Sequence, residues 1–138
     1  ARVFTESNFA KGIRKKKKGY VSSACLYYNT TSNFVQGKLF ETAVFEKLRM
    51  HSPCTYFDPQ KREVDFVIRK KGRAYPIEVK SSEKLSASDL PNLLYYTRKK
   101  RLPCAYVVYR GPFDCIRAGE TSIYLLPLST FLASNLAF

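Results

Sequence analysis

The stretch EVDFVIRKKGRAYPIEVK, residues 63–80, limits the possible folds more than any other part of the chain. Two runs rich in β-branched and aromatic residues flank Lys71-Gly72, and a glycine there supplies the positive φ that a two-residue hairpin loop requires. With that loop, Asp65 lies directly opposite Glu78 and Glu63 opposite Lys80. Val64, Phe66, Ile68, Tyr75, Ile77 and Val79 then share one face, and the four charged residues share the other. Like charges directly opposite each other destabilise a strand pair, so Asp65 against Glu78 is a local cost that a divalent cation would reverse. The alternative is that this polar face is simply solvated.

The flanking segments bear on that choice, because they supply layers for both faces. From about residue 32 to 50, Leu39, Phe40, Ala43, Val44, Leu48 and Met50 fall on one helical arc that ends before Ser52-Pro53. Glu41 projects into this arc, where an acid is costly unless a proton or a cation compensates it; Lys47 projects there too, on a stem long enough to reach water. CTYFD reads as a short strand. SASDLPNLLYYTRKK reads as a helix with Ser88 as its N-cap, Pro91 in its first turn and Leu90, Leu93, Leu94 and Thr97 along its stripe. CAYVVYR and SIYLL follow as strands and STFLASNL as a terminal helix. Strands alternating with helices predict an α/β domain, a mixed central sheet flanked by helices. An acid cluster beside such packed layers is a candidate site.

Composition narrows the partners. The 138 residues carry a formal net charge of +13, a positive field that favours polyanions, with nucleic acid ahead of an anionic membrane because no long basic amphipathic helix or lipidation signal is visible. No long apolar run and no signal-peptide pattern occurs, so the expected setting is cytoplasmic and off the membrane. Cys25, Cys54, Cys104 and Cys115 form no C-x-x-C pair and are expected as buried thiols. His51 is the sole histidine, which removes most Ser-His and Cys-His mechanisms; with Cys54 it makes only an isolated H-x-x-C. The opening, residues 1–18, lacks apolar periodicity and reads as a linker or the end of a preceding module, leaving residues 19–138 as the domain. YVSSACLYYN, at its start, reads as a short strand or a packed loop.

Glu41 on a helix, Asp65 on one hairpin strand and Glu78-Val79-Lys80 on the next resemble the E, D and E-x-K signature of the PD-(D/E)XK restriction-endonuclease-like superfamily. GKLFETAVFEKL, EVDFVI, PIEVKSS and YLLPLSTFL are similar to the nuclease-like C-terminal domain of archaeal and bacterial AAA-type ATPases, over about residues 19–135. EVD stands where the superfamily has its nominal Pro-Asp, which keeps the acid.

That resemblance implies a restriction-endonuclease-like fold and a division of labour among these residues. Asp65 and Glu78 would be ligands of Mg²⁺, with Mn²⁺ as the alternative ion, joined by the Val79 carbonyl and by Glu41 as an outer or second-metal ligand. Lys80 would position the attacking water. Mg²⁺ needs only one or two carboxylates and keeps several waters, while an ammonium group offsets charge at the phosphoryl transition state. Arg14, Lys15, Lys16, Lys17 and Lys18, and Arg98, Lys99, Lys100 and Arg101, are candidates for phosphate contacts on DNA or else solvated faces. Tyr27, Tyr28, Tyr95 and Tyr96 could stack on bases or fill the core. The sequence contains no phosphate-binding P-loop, so an ATPase would be an upstream domain of the same natural chain. Three readings follow: a metal-dependent DNA endonuclease or nuclease-derived DNA-binding domain of an ATPase, a homodimeric Holliday-junction-type resolvase, and a non-catalytic scaffold.

Overall fold

The computed structural model describes residues 2–3, 18–19 and 33–136. Arg14 to Lys17, YVSSACLYYN and Cys25 lie outside these residues, and Lys18 belongs to a short strand, β2 (Lys18–Gly19), that pairs antiparallel with β1 (Arg2–Val3).

The remaining strands form one six-stranded mixed sheet. In chain order they are β3 (Cys54–Phe57), β4 (Glu63–Lys70), β5 (Arg73–Val79), β6 (Cys104–Tyr109), β7 (Asp114–Ala118) and β8 (Thr121–Pro127). In space the order is β3-β4-β5-β6-β8-β7, with β5, β6 and β8 parallel and the outer pairs antiparallel. The parallel pair β5-β6 is joined by a helical crossover, whereas β6 reaches β8 by way of the edge strand β7, and both faces of the sheet are covered by apolar side chains. Helix α2 (Pro91–Lys100) is the crossover from β5 to β6 and covers one face, where Leu90, Leu93 and Tyr96 pack on Val67, Val107, Ile123 and Leu125. Helices α1 (Asn33–Leu48) and α3 (Leu128–Ala133) cover the other, where Val44, Phe45, Leu48 and Phe131 meet Phe66, Ile68, Ile77 and Val108.

The hairpin register is the one that Lys71-Gly72 dictates. Both turn residues have positive φ, 51° and 74°, and Lys70 pairs with Arg73, Ile68 with Tyr75 and Phe66 with Ile77. The pairing stops there. Opposite β3 the register shifts between Cys54, which faces Val67, and Tyr56, which faces Val64. This bulge reverses the alternation, so Val64 packs on the α2 face with Val67 instead of joining Phe66 and Ile68 under α1. Glu63 accordingly pairs with Phe57 of β3, and Lys80 lies beyond the end of β5.

Four other details differ from the sequence reading. Helix α1 tightens into a 3-10 turn over Arg49–His51, and the change of pitch turns Met50 out to 84% exposure. Ser86, not Ser88, is the capping serine: it exchanges hydrogen bonds with Asp89 around a 3-10 turn (Ala87–Asp89), and α2 then starts at Pro91 behind Leu90. Strand β7 is an edge strand none of whose residues is buried, joined to β8 by Gly119-Glu120, whose glycine has φ 63°. Cys115 lies on that edge and is exposed, whereas Cys54 and Cys104 are half-buried.

The loop after β5 is tied to the end of β6. Lys80 donates its N–H to the Val108 carbonyl at 3.0 Å, and Arg110 donates to Ser82 at 3.1 Å. Gly111 is buried against this loop, where a Cβ would collide with the Glu83 carbonyl and the Tyr109 ring. Gly111→Ala should therefore destabilise the domain by about 1–3 kcal/mol, the usual scale of overpacking, measured as a lower midpoint in urea with an unchanged slope.

Candidate functional site

The bulge in β4 is what presents Asp65. Thr55, fully buried on β3, donates its hydroxyl to the Asp65 carbonyl at 3.0 Å, and the Cys54 thiol donates to the Val67 carbonyl at 3.4 Å. The two bonds hold the irregular segment from either side. Beyond Phe66 and Ile77 the hairpin ladder is open, and the Asp65 side chain takes the place of the missing main-chain acceptor: its Oδ2 accepts the Val79 N–H at 2.9 Å.

Glu78 lies next to this carboxylate and is nearly buried, 9% exposed. One oxygen, Oε1, is 3.4 Å from the Lys80 ammonium, and the other, Oε2, is buried without a hydrogen-bond partner. Burial, reinforced by the Asp65 charge and opposed by Lys80, pushes the Glu78 carboxyl up to about 8. An acid held neutral by desolvation and a second acid, beside a fixed ammonium, is an arrangement suited to binding a cation or to handling a proton.

Asp65, Glu78 and Lys80 are thus neighbours, as expected for the hairpin. Glu41 is the fourth residue of the expected set. It sits on α1 with its side chain 12% exposed and 3.5 Å from the Lys38 ammonium. Ile77 and Val79 pack toward α1 and α3, so strand alternation sends Glu78 to the opposite face with Ala74. Lys80 acts electrostatically on Asp89, just ahead of α2, which agrees with that side. Among the described residues no group of three or more His, Cys, Asp or Glu is placed to hold a metal ion.

The basic run at the end of α2 lies elsewhere. Because β6 runs parallel to β5, α2 returns to the hairpin-tip end of the sheet, and Lys100 lines a groove with Arg69 and Arg73. Arg73 and Glu78 are five residues apart along β5, roughly 17 Å at strand rise. Lys99 donates to the Tyr56 hydroxyl at 3.3 Å, and Arg62 stacks 3.7 Å from the Tyr95 ring centre. Tyr96 is fully buried in the core. Sequence reasoning missed Thr55, which bonds the Asp65 carbonyl, and Gly111, against which the loop after β5 packs; neither residue type signals such a role without the bulge and the loop contact.

Comparison with known proteins gives a family. Residues 36–131, more than half of the chain, match the domain of unknown function DUF4143. The chain belongs to the DUF4143 family. DUF4143 domains are usually found with AAA ATPases. No curated protein matches the chain, and no solved structure does. No helix among the described residues of this DUF4143 domain is long and apolar enough to cross a membrane.

The neutral Glu78 gives a pH prediction for the metal-free protein. The folded state keeps this proton up to about pH 8, whereas an ordinary glutamate loses it near 4.5, so the folded state binds the extra proton between those values. Stability should fall as pH rises through that window, by up to about 1.4 kcal/mol per pH unit. Urea titrations at pH 5 and pH 8 measure it, and Glu78→Gln should flatten the difference while raising stability at pH 8.

Proposed function

We propose that this domain is a divalent-cation-dependent nuclease module of the PD-(D/E)XK type, acting on DNA phosphodiesters and carried by an AAA ATPase. The observation that supports it most is the close pair of half-buried Asp65 and buried Glu78, with Glu78 Oε2 unpartnered and Lys80 3.4 Å from Oε1. An orphaned carboxylate oxygen beside a second acid is what a cation would satisfy, so these residues fit Mg²⁺ or Mn²⁺. Asp65 and Glu78 would hold the ion, with the Val79 carbonyl as a third oxygen. Such an ion, when bound, polarises a phosphoryl oxygen and lowers the pKa of its water. The chain's own contributions are separate: Thr55 and the Val79 N–H fix Asp65, and Lys80 offsets negative charge developing on a phosphate. The mixed sheet, in which the acid-bearing hairpin leads through a crossover helix to a parallel strand, is consistent with the restriction-endonuclease-like fold.

A second reading, a non-catalytic scaffold for the ATPase, is favoured by one observation: among the described residues no three His, Cys, Asp or Glu are grouped to hold a metal ion.

One substitution separates them. Asp65→Asn keeps an acceptor for Val79 and removes the charge next to Glu78; the relieved repulsion and the weakened bond to the Val79 N–H oppose each other, so without metal its stability should stay within about 1 kcal/mol of wild type. Mg²⁺ or Mn²⁺ should raise the melting temperature of the wild type and not of the mutant, because only the former has a site on the folded state. Cleavage of supercoiled and linear DNA in either ion should be lost in the mutant. A wild type that neither shifts nor cleaves with either metal rejects the nuclease and leaves the scaffold.

A further inference from the structure

The end of the sheet remote from the acid pair carries two grooves of about 480 Å³ each, on either side of Leu102-Pro103. Arg69, Arg73 and Lys100 line the first, and Arg98 and Arg101 line the second; all five are exposed. Glu120 is the one acid among the lining residues of both. The lining of the two grooves runs from β4 to β7, four strand spacings or roughly 19 Å, with its cations on β4, on β5 and at the end of α2.

Part of this charge has an ordinary structural account. Cations in the last turn of α2 complement the helix dipole, which explains Arg98, Lys99 and Lys100. It does not explain the hairpin tip. There Lys70 faces Arg73 directly across the strands, a like-charge pair that destabilises a hairpin, with Lys71 at the turn between them. Nor is the tip an edge strand needing charge against self-association, since β4 and β5 are both interior. A cost kept at the tip, facing the helix end across a concave groove, fits a polyanionic ligand.

We propose that the hairpin tip and the C-terminal end of α2 form a binding surface for the phosphate backbone of nucleic acid, separate from the acid pair. The forked guanidinium groups of Arg69, Arg73, Arg98 and Arg101 suit phosphate oxygens, and cations set on both grooves meet more than one phosphate at once. An anionic membrane fits less well. The exposed large apolar residues among those described, Met50 and Phe113, line neither groove, so the rim lacks the apolar contact that holds a peripheral protein to lipid. This goes beyond the proposed cleavage and needs neither a cation nor Asp65 and Glu78.

The test is anisotropy titration of short labelled duplexes, DNA and RNA in parallel, with EDTA present so that no metal chemistry enters. Two triple variants of the full chain remove the same charge: Arg69→Gln/Arg73→Gln/Lys100→Gln at the rim, and Lys61→Gln/Lys84→Gln/Arg110→Gln near the acid end. The rim variant should lose at least about tenfold in affinity and make the log–log salt slope shallower by about 2–3, while the other stays within about twofold of wild type. Binding of either duplex with that pattern supports the surface, and their ratio names the polymer. Circular dichroism checks folding; should the rim triple fail to fold, Lys70→Gln/Lys71→Gln at the exposed turn carries the same readout. Equal losses in both triples, an unaffected rim variant, or a wild type that ignores both duplexes and binds phosphatidylserine vesicles each overturn it. Cleavage assays read Asp65 independently, so the nuclease can fail while this surface stands, and the reverse.

Discussion

The bond from the Val79 N–H to the Asp65 carboxylate holds together the part of the domain on which its chemistry rests. A hairpin that continued its ladder would give that N–H to a main-chain carbonyl and leave both acids on a plain strand surface. The bulge opposite Thr55 interrupts the ladder instead, and a charged side chain becomes the acceptor. Hydrogen bonds to ionised acceptors are roughly twice as strong as neutral ones, so the exchange retains the pairing and fixes Asp65. The same irregularity lets β4 serve two cores, giving Val64 and Val67 to α2 and Phe66 and Ile68 to α1 and α3.

Fixing Asp65 there determines the state of Glu78. Two acids this close cannot both ionise cheaply where water is scarce, and the Lys80 ammonium on one oxygen only partly offsets the burial of the other. The loop that carries Lys80 cannot drift away to relieve this, because it is bonded to Val108 and Arg110 and packed on Gly111. The domain therefore keeps a strained electrostatic arrangement inside a well-packed frame, and the frame, not the acids, supplies the stability.

Much of this was legible in the chain. Lys71-Gly72 set the turn, and the turn set every ladder pair from Lys70 to Phe66. The apolar periodicity gave α1, α2, α3 and three further strands, β3, β6 and β8, in place. What failed did so where composition carries no signal. A bulge changes the face of a residue without changing its type, so Val64 was read onto the wrong side. Strand β7 exposes polar residues at a sheet edge, and only Gly119-Glu120 hinted at its turn. Glu41 reads as partly buried on a helical projection, and it is, at 12% side-chain exposure beside Lys38.

Net charge is the quantity most easily misread from such a sequence. A value of +13 suggests a diffuse positive surface, yet among the described residues the cations of the hairpin tip and of the end of α2 gather at one end of the strands. Parallel pairing of β5 and β6 forces α2 to return to the tip end before β6 can start, so its terminal cations join those of the turn, while the acids stay at the far end of β5. At roughly 17 Å this separation exceeds the screening length of about 8 Å at physiological salt. The two ends are electrostatically almost independent in water: the basic rim does little to hold Glu78 ionised, which leaves its state to burial, Asp65 and Lys80.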